Sequence, residues 1–122
     1  MTRFSARIAA AAKKKKSRIV VALDPRPGTR NIRQFAAKTI KAVAGHACAV
    51  KVNFHLLLPL SAKEISALTK LAHSHGLLCI ADVKLNDIGS TNEAALEHLV
   101  RMGFDAVIAN PFMGAGTLAS LV

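Results

Sequence analysis

Asp82, Lys84 and Asp87 stand close together in the stretch IADVKLNDIGSTN, residues 80–92. Two carboxylates around one ammonium, at the end of an apolar run, form a costly arrangement. A carboxylate withdrawn from water destabilises the fold unless a cation stands beside it. Residues two apart on a strand point to the same face, so Asp82 and Lys84 are expected to share one. Lys51, in the run ACAVKVNF (residues 47–54), would extend the set to an alternating Asp–Lys–Asp–Lys array. Such an array is a positioned proton donor in a strong local field, the equipment of general acid chemistry. One ion pair alone would read equally well as a structural clasp. Four charges converging on one face read as a site, because buried charge without a task is destabilising.

The elements that must position these groups follow from periodicity. Residues 3–16 are Ala-rich, with Phe4 and Ile8 on one side, and predict a leading helix. RIVVALDP (18–25) is a β-branched run closed by Asp-Pro, a strand. Asn31 can cap a helix from Ile32 to about residue 44, with Gly45 as its stop. ACAVKVNF is a second strand. Ser61 and Glu64 form a capping box for a helix reaching about residue 75, stopped by Gly76. LLCIADV (77–83) is a third strand, and a helix from Thr91 to near Gly103 follows it. FDAVIAN (104–110) is a fourth strand, and GAGTLASLV (114–122) opens another helix.

Strands apolar on both faces, each separated by one helix, imply a parallel sheet of the α/β class. Four βα steps are half of a (β/α)8 TIM barrel, which typically needs about 250 residues. The chain has 122. The reading is therefore the first four βα units of a barrel over 1–122, with 1–17 as a leading helix and 18–122 running from the first strand to the start of the fourth helix. A small open sheet is the alternative, and it would leave two unprotected edges. In parallel α/β folds chemistry sits at the C-terminal strand ends. The strands deliver Asp24, then Lys51 and Asn53, then Asp82 and Lys84 with Asp87 beyond, then Asn110.

Charge is unevenly placed. Residues 1–41 hold 12 of the 17 Lys and Arg and one acid, Asp24, while residues 42–122 hold five Lys and Arg against six acids. The run Lys13–Lys16 suggests nucleic acid or a membrane surface, yet no aromatic stacking platform accompanies it. A solvated helix end, where cations suit the C-terminal dipole, is the preferred reading, with no nucleic-acid or membrane partner. No apolar segment approaches the ~20 residues of a membrane helix, and the N-terminus lacks a secretory pattern. A cytoplasmic protein is expected, with Cys48 and Cys79 as small buried hydrophobes rather than ligands. His73 and His75 are read as helix-end residues. GAGTLA (114–119) fits G-x-G-x-x-A only formally, since no acidic residue follows it.

The pattern D-x-K-x-x-D-I-x-x-T across ADVKLNDIGSTN (81–92) resembles the signature of the orotidine 5′-phosphate decarboxylase family. VVALDPR, AVKVNF and GFDAVIANPFMGAGTL are similar to that family's first, second and fourth strands, in the same order. The resemblance implies conversion of orotidine 5′-monophosphate (OMP) to UMP and carbon dioxide, in pyrimidine synthesis, with no cofactor and no metal. It implies that Lys84 protonates the ring carbon as the carboxylate leaves, and that Asp82 lies beside that carboxylate. Asp82 and Lys51 would hold Lys84 in place, and Asp24 and Lys51 would bind the ribose hydroxyls. Asp87, Ile88 and Thr91 would reach into a neighbouring subunit's site, implying a homodimer with a shared active site. The family's phosphate-gripping residues come from its second half-barrel, so the isolated chain is expected to be inactive or nearly so. Phosphosugar decarboxylases and aldolases of the same superfamily share D-x-K-x-x-D, and Lys51, Ile88 and Thr91 favour the orotidine branch over them. A non-catalytic half-barrel remnant is the third reading.

Overall fold

The computed structural model describes residues 3–121. The parts of the leading segment and of the final helix that fall on Met1, Thr2 and Val122 lie outside the described residues. Helix α1 (Phe4–Lys15) leads into strand β1 (Val20–Leu23), α2 (Ile32–Val43) and β2 (Ala49–Asn53). A single turn, α3 (Phe54–Leu57), and helix α4 (Ala62–Ser74) precede β3 (Leu78–Leu85). After α5 (Gly89–Arg101) come β4 (Ala106–Ala109), a 3-10 turn (Pro111–Met113) and α6 (Ala115–Ala119). None of the helices among the described residues is long and apolar enough to cross a membrane.

All strand pairs are parallel, and the order is β1-β2-β3-β4. A parallel crossover is right-handed, so a strictly sequential order carries every helix to the same side of the sheet. That is the barrel pattern; a doubly wound sheet reverses its order and covers both faces. The covered face carries Leu23, Val50, Val52, Cys79 and Ala81, all buried. They pack with Ala36 and Ile40 of α2, with Ile65, Leu68 and Ala72 of α4, and with Leu99 of α5. The other face holds Val20, Lys51 and Ile80, and it stays partly open. β1 and β4 are each paired on one side only within the described residues. The expected α/β sheet with alternating helices is therefore present.

The helix ends show why the segments stop where they do. Ser61 accepts from the Glu64 amide and Glu64 reaches back to the Ser61 amide, the capping box that fixes the start of α4. Gly76 and Gly103 take positive φ, +71° and +92°, one residue beyond the caps of α4 and α5. Their amides and the next ones close onto the final turns, Leu77 to Ala72 and Phe104 to Leu99. Gly45 does not adopt a left-handed backbone, and α2 ends instead on amides folding back to Val43.

The basic end of α1 differs from the solvated tail that its composition suggests. Lys15 turns inward, and its Nζ lies 2.6 Å from the carbonyl oxygens of both Ala44 and His75. These residues cap α2 and α4. One ammonium thus satisfies two helix C-termini, where the partial charge is negative.

Candidate active site

The site is built at the C-terminal ends of β2 and β3. Lys51 pairs in register with Ile80, and Asn53 with Asp82. Alternate residues share a face, so Lys51 and Asp82 lie diagonally across neighbouring strands on the open side. That separation suits a lysine stem, and Lys51 Nζ donates to Asp82 Oδ2. Lys84 Nζ donates to the other oxygen, Oδ1, at 2.7 Å. Each carboxylate oxygen therefore has its own ammonium. Asp82 is nearly buried, with 3% of its side chain exposed, whereas that of Lys84 is 64% exposed. The arrangement is a fixed anion presenting a reachable cation, with a net charge of +1 from its three members.

Lys84 does not reach this position by simple strand alternation. The ladder between β3 and β4 is irregular between Ala81 and Leu85, where β3 bulges. Within the bulge Lys84 has φ of +48°, the left-handed region that side chains other than Gly, Asn and Asp rarely occupy. Leu85 then resumes pairing with Ala109, and its carbonyl accepts from the Asn110 amide at 2.8 Å. The two head groups do meet, as the spacing suggested, but through a kinked backbone rather than a flat strand.

Asp82 is held well below its ordinary value of 3.8, first by the Lys51 hydrogen bond and then by that from Lys84. A carboxyl with a depressed folded-state value contributes stability that is fully present above its unfolded value. That contribution is lost as pH falls through the lower folded value. Urea midpoints measured at neutral pH and near pH 3 should therefore fall further for the unmodified chain than for Asp82→Asn. Equal losses in the two proteins would refute the role given to Asp82.

The remaining expected residues are placed as follows. Asp24 is exposed beyond β1, and its Oδ1 lies 3.2 Å from His55 Nε2, in the turn after β2. His55 also bonds the Pro25 carbonyl at 3.0 Å, a partner the spacing gave no sign of. Asp87 does not join the lysines. Its Oδ1 accepts from the Ile88 amide at 2.7 Å, so the four-member array expected from the sequence is a three-member one in this chain. Ile88 and Thr91 are exposed. Asn110 uses its Oδ1 to cap the 3-10 turn at Phe112 and has a structural part.

Asn92 is the residue the sequence reading missed. It is fully buried. Its side chain accepts from the Asp87 amide at 3.1 Å and donates to the Asp87 carbonyl at 2.6 Å. This double clasp sets the loop that carries Asp87 and Ile88, and it explains why α5 begins at Gly89 rather than Thr91. The signal was available, since Asn92, Leu96 and Leu99 share helical i, i+4, i+7 spacing and so one inward stripe.

Comparison with known proteins places this geometry. The family model described as orotidine 5′-phosphate decarboxylase / HUMPS matches residues 17–122. The orotidine 5′-phosphate decarboxylase of Thermococcus kodakarensis is 32% identical over 106 residues, covering 87% of this chain and 46% of the relative. That of Roseiflexus castenholzii is 34% identical over 119 residues, covering 88% and 44%. Among solved structures, the Pyrococcus horikoshii orotidine 5′-phosphate decarboxylase aligns with a TM-score of 0.68 at 28% identity, over 84% of this chain and 45% of that one. The Leishmania donovani OMP decarboxylase aligns with a TM-score of 0.80 at 21% identity, over 98% and 49%, a likeness of fold. The chain spans about half the length of the curated relatives it matches. With that match across its strands and its lysine–aspartate cluster, the chain belongs to the orotidine 5′-phosphate decarboxylase / HUMPS family.

Proposed function

We propose that this chain supplies the N-terminal half of a barrel that decarboxylates OMP to UMP, and that Lys84 is its proton donor. The observation that carries the reading is the Lys51–Asp82–Lys84 cluster, with one ammonium on each oxygen of a nearly buried carboxylate. Loss of carbon dioxide leaves electrons on a ring carbon. A fixed ammonium stabilises that developing charge more than it stabilises the substrate, which is the condition for acceleration. Lys84 gives its proton to the carbanion. Asp82 holds the ammonium in line and, lying beside the departing carboxylate, raises the energy of the ground state. Lys51 fixes Asp82 from the opposite side and, with Asp24, binds the ribose hydroxyls.

The active form in this reading is a cytoplasmic homodimer. Its support is the apolar rim around the strand ends: Phe54, Leu58, Ile88 and Phe112 are all exposed there. Asp87, Ile88 and Thr91 lie on that rim and are free to meet a second subunit's site.

A fusion tests the proposal. Residues 17–122 replace the matched segment of the Thermococcus kodakarensis relative, and OMP turnover is followed by loss of absorbance or release of carbon dioxide. Turnover is the expected result. A folded fusion that leaves OMP untouched and acts on a phosphosugar would overturn the assignment in favour of the other branch of the family.

A further inference from the structure

At the opposite end of β3 from the lysines, three elements bring together a second group of chemically able side chains. His73 lies in the last turn of α4, Cys79 is the second residue of β3, and Asp105 stands just before β4. One ligand atom from each, an imidazole nitrogen, a thiol sulfur and a carboxylate oxygen, lies within 4.8 Å of the other two. His73 Nε2 is 2.8 Å from Asp105 Oδ2. The Asp105 side chain is 5% exposed and the His73 side chain 38% exposed, so the cluster has a buried floor and a wet side. Cys79 is buried, and its Sγ makes only a long 3.9 Å contact with the Thr69 carbonyl.

The geometry points to a divalent transition-metal site of the zinc type formed by His73 Nε2, Cys79 Sγ and Asp105 Oδ2, with a fourth position open to water. Mixed nitrogen, sulfur and oxygen ligands at about 2.0–2.3 Å suit Zn²⁺ in a tetrahedral arrangement. Two bonds of about 2.0 Å at a tetrahedral angle hold N and O roughly 3.3 Å apart. The observed His73–Asp105 separation needs only a small widening to match. Arg7 donates to the other oxygen, Oδ1, which leaves Oδ2 as a single ligand and orients it as an outer-shell partner does. The Cys79 amide also donates to Oδ2, at 2.7 Å, and anchors the carboxylate to β3.

Thiolate and carboxylate supply two negative charges against the ion's two positive ones and the one of Arg7, and the imidazole is neutral, with its proton on Nδ1, so the loaded cluster carries a net charge of +1. Without metal, burial and then the Asp105 charge push the Cys79 thiol up to about 12. Binding therefore forms the metal–sulfur bond and releases the thiol proton to solvent, so affinity falls as pH falls. The ion would join the end of α4 to the starts of β3 and β4. The proposed site departs from the expectation that His73 and Cys79 have no ligand role, and it does not depend on the decarboxylase proposal.

Co²⁺ added to the 122-residue chain at pH 8 is the test. The expected result is a thiolate-to-cobalt charge-transfer band in the near ultraviolet, displaced by Zn²⁺, and a Zn²⁺-dependent rise in melting temperature. His73→Gln, a change at an exposed helix end that keeps the fold, should weaken Co²⁺ binding by at least about tenfold, the loss expected even for an outer-shell partner. Cys79→Ser should abolish the band and Cys48→Ser, the other buried thiol, should keep it. No band in the unmodified chain, a band undiminished in His73→Gln, or a band lost with Cys48 rather than Cys79 would each overturn the site.

Discussion

Alanine at position 84 lowers the kcat of the fusion for OMP by about 10³-fold or more while its circular dichroism stays unchanged. Removing one preorganised donor from a developing charge costs about 10²–10³ in rate. Here the donor is also the proton source, so both contributions vanish together. The folded state tolerates the loss, because the Lys84 side chain is largely exposed and buries little apolar surface. Asp82 keeps one ammonium, Lys51, on its Oδ2. Substrate affinity should change far less than turnover, since the lost interaction belongs to the transition state. An alanine variant retaining a tenth of the parent rate would take the proton donor's role away from Lys84.

Gly103→Ala should unfold the chain more readily than any surface change. Gly103 has φ of +92° and lies one residue beyond the cap of α5, where an L side chain is strained by about 1–2 kcal/mol. A Cβ there would stand 2.6 Å from Thr69 Oγ1, too close for any real contact. Thr69 is buried, and its hydroxyl donates to the Met102 carbonyl at 2.6 Å, so the side chain cannot turn aside without orphaning that bond. Losing it adds about 1 kcal/mol. The expected total is about 2–4 kcal/mol, read as a melting temperature roughly 10 °C lower. Gly116→Ala, where nothing lies within 4 Å and φ is not positive, is the matched control and should cost little. Equal melting temperatures for the two variants would show that the α5 terminus does not hold its observed shape.

Much of the fold was legible because periodicity and caps agreed. The Ser61–Glu64 box and the glycines at 76 and 103 marked α4 and α5 from local chemistry alone. The strand expected through Phe54 stops at Asn53, since Phe54–Leu57 turn helical and bury Leu56. An apolar run by itself does not separate a strand end from a helical turn. The site was legible in its members and not in its path. The spacing of Asp82 and Lys84 gave the pair, but a bulge is set by the partner strand, and β4 lies more than twenty residues away. Asp87 misled for a related reason. Charge type predicts attraction, yet the short Asp87 side chain found the Ile88 amide first, within its own loop. The inward turn of Lys15 depends on α2 and α4 meeting at one end, which no local window contains.

The twisted backbone at residue 84 has a consequence for how this position can drift. A left-handed torsion costs a lysine about 1–2 kcal/mol that glycine would not incur. Selection for thermal hardiness alone would therefore pull codon 84 toward glycine or asparagine. A lysine kept in that uncomfortable turn across many generations would be the mark of a chemistry still in use, and its replacement by glycine would be an early trace of a barrel that had fallen silent.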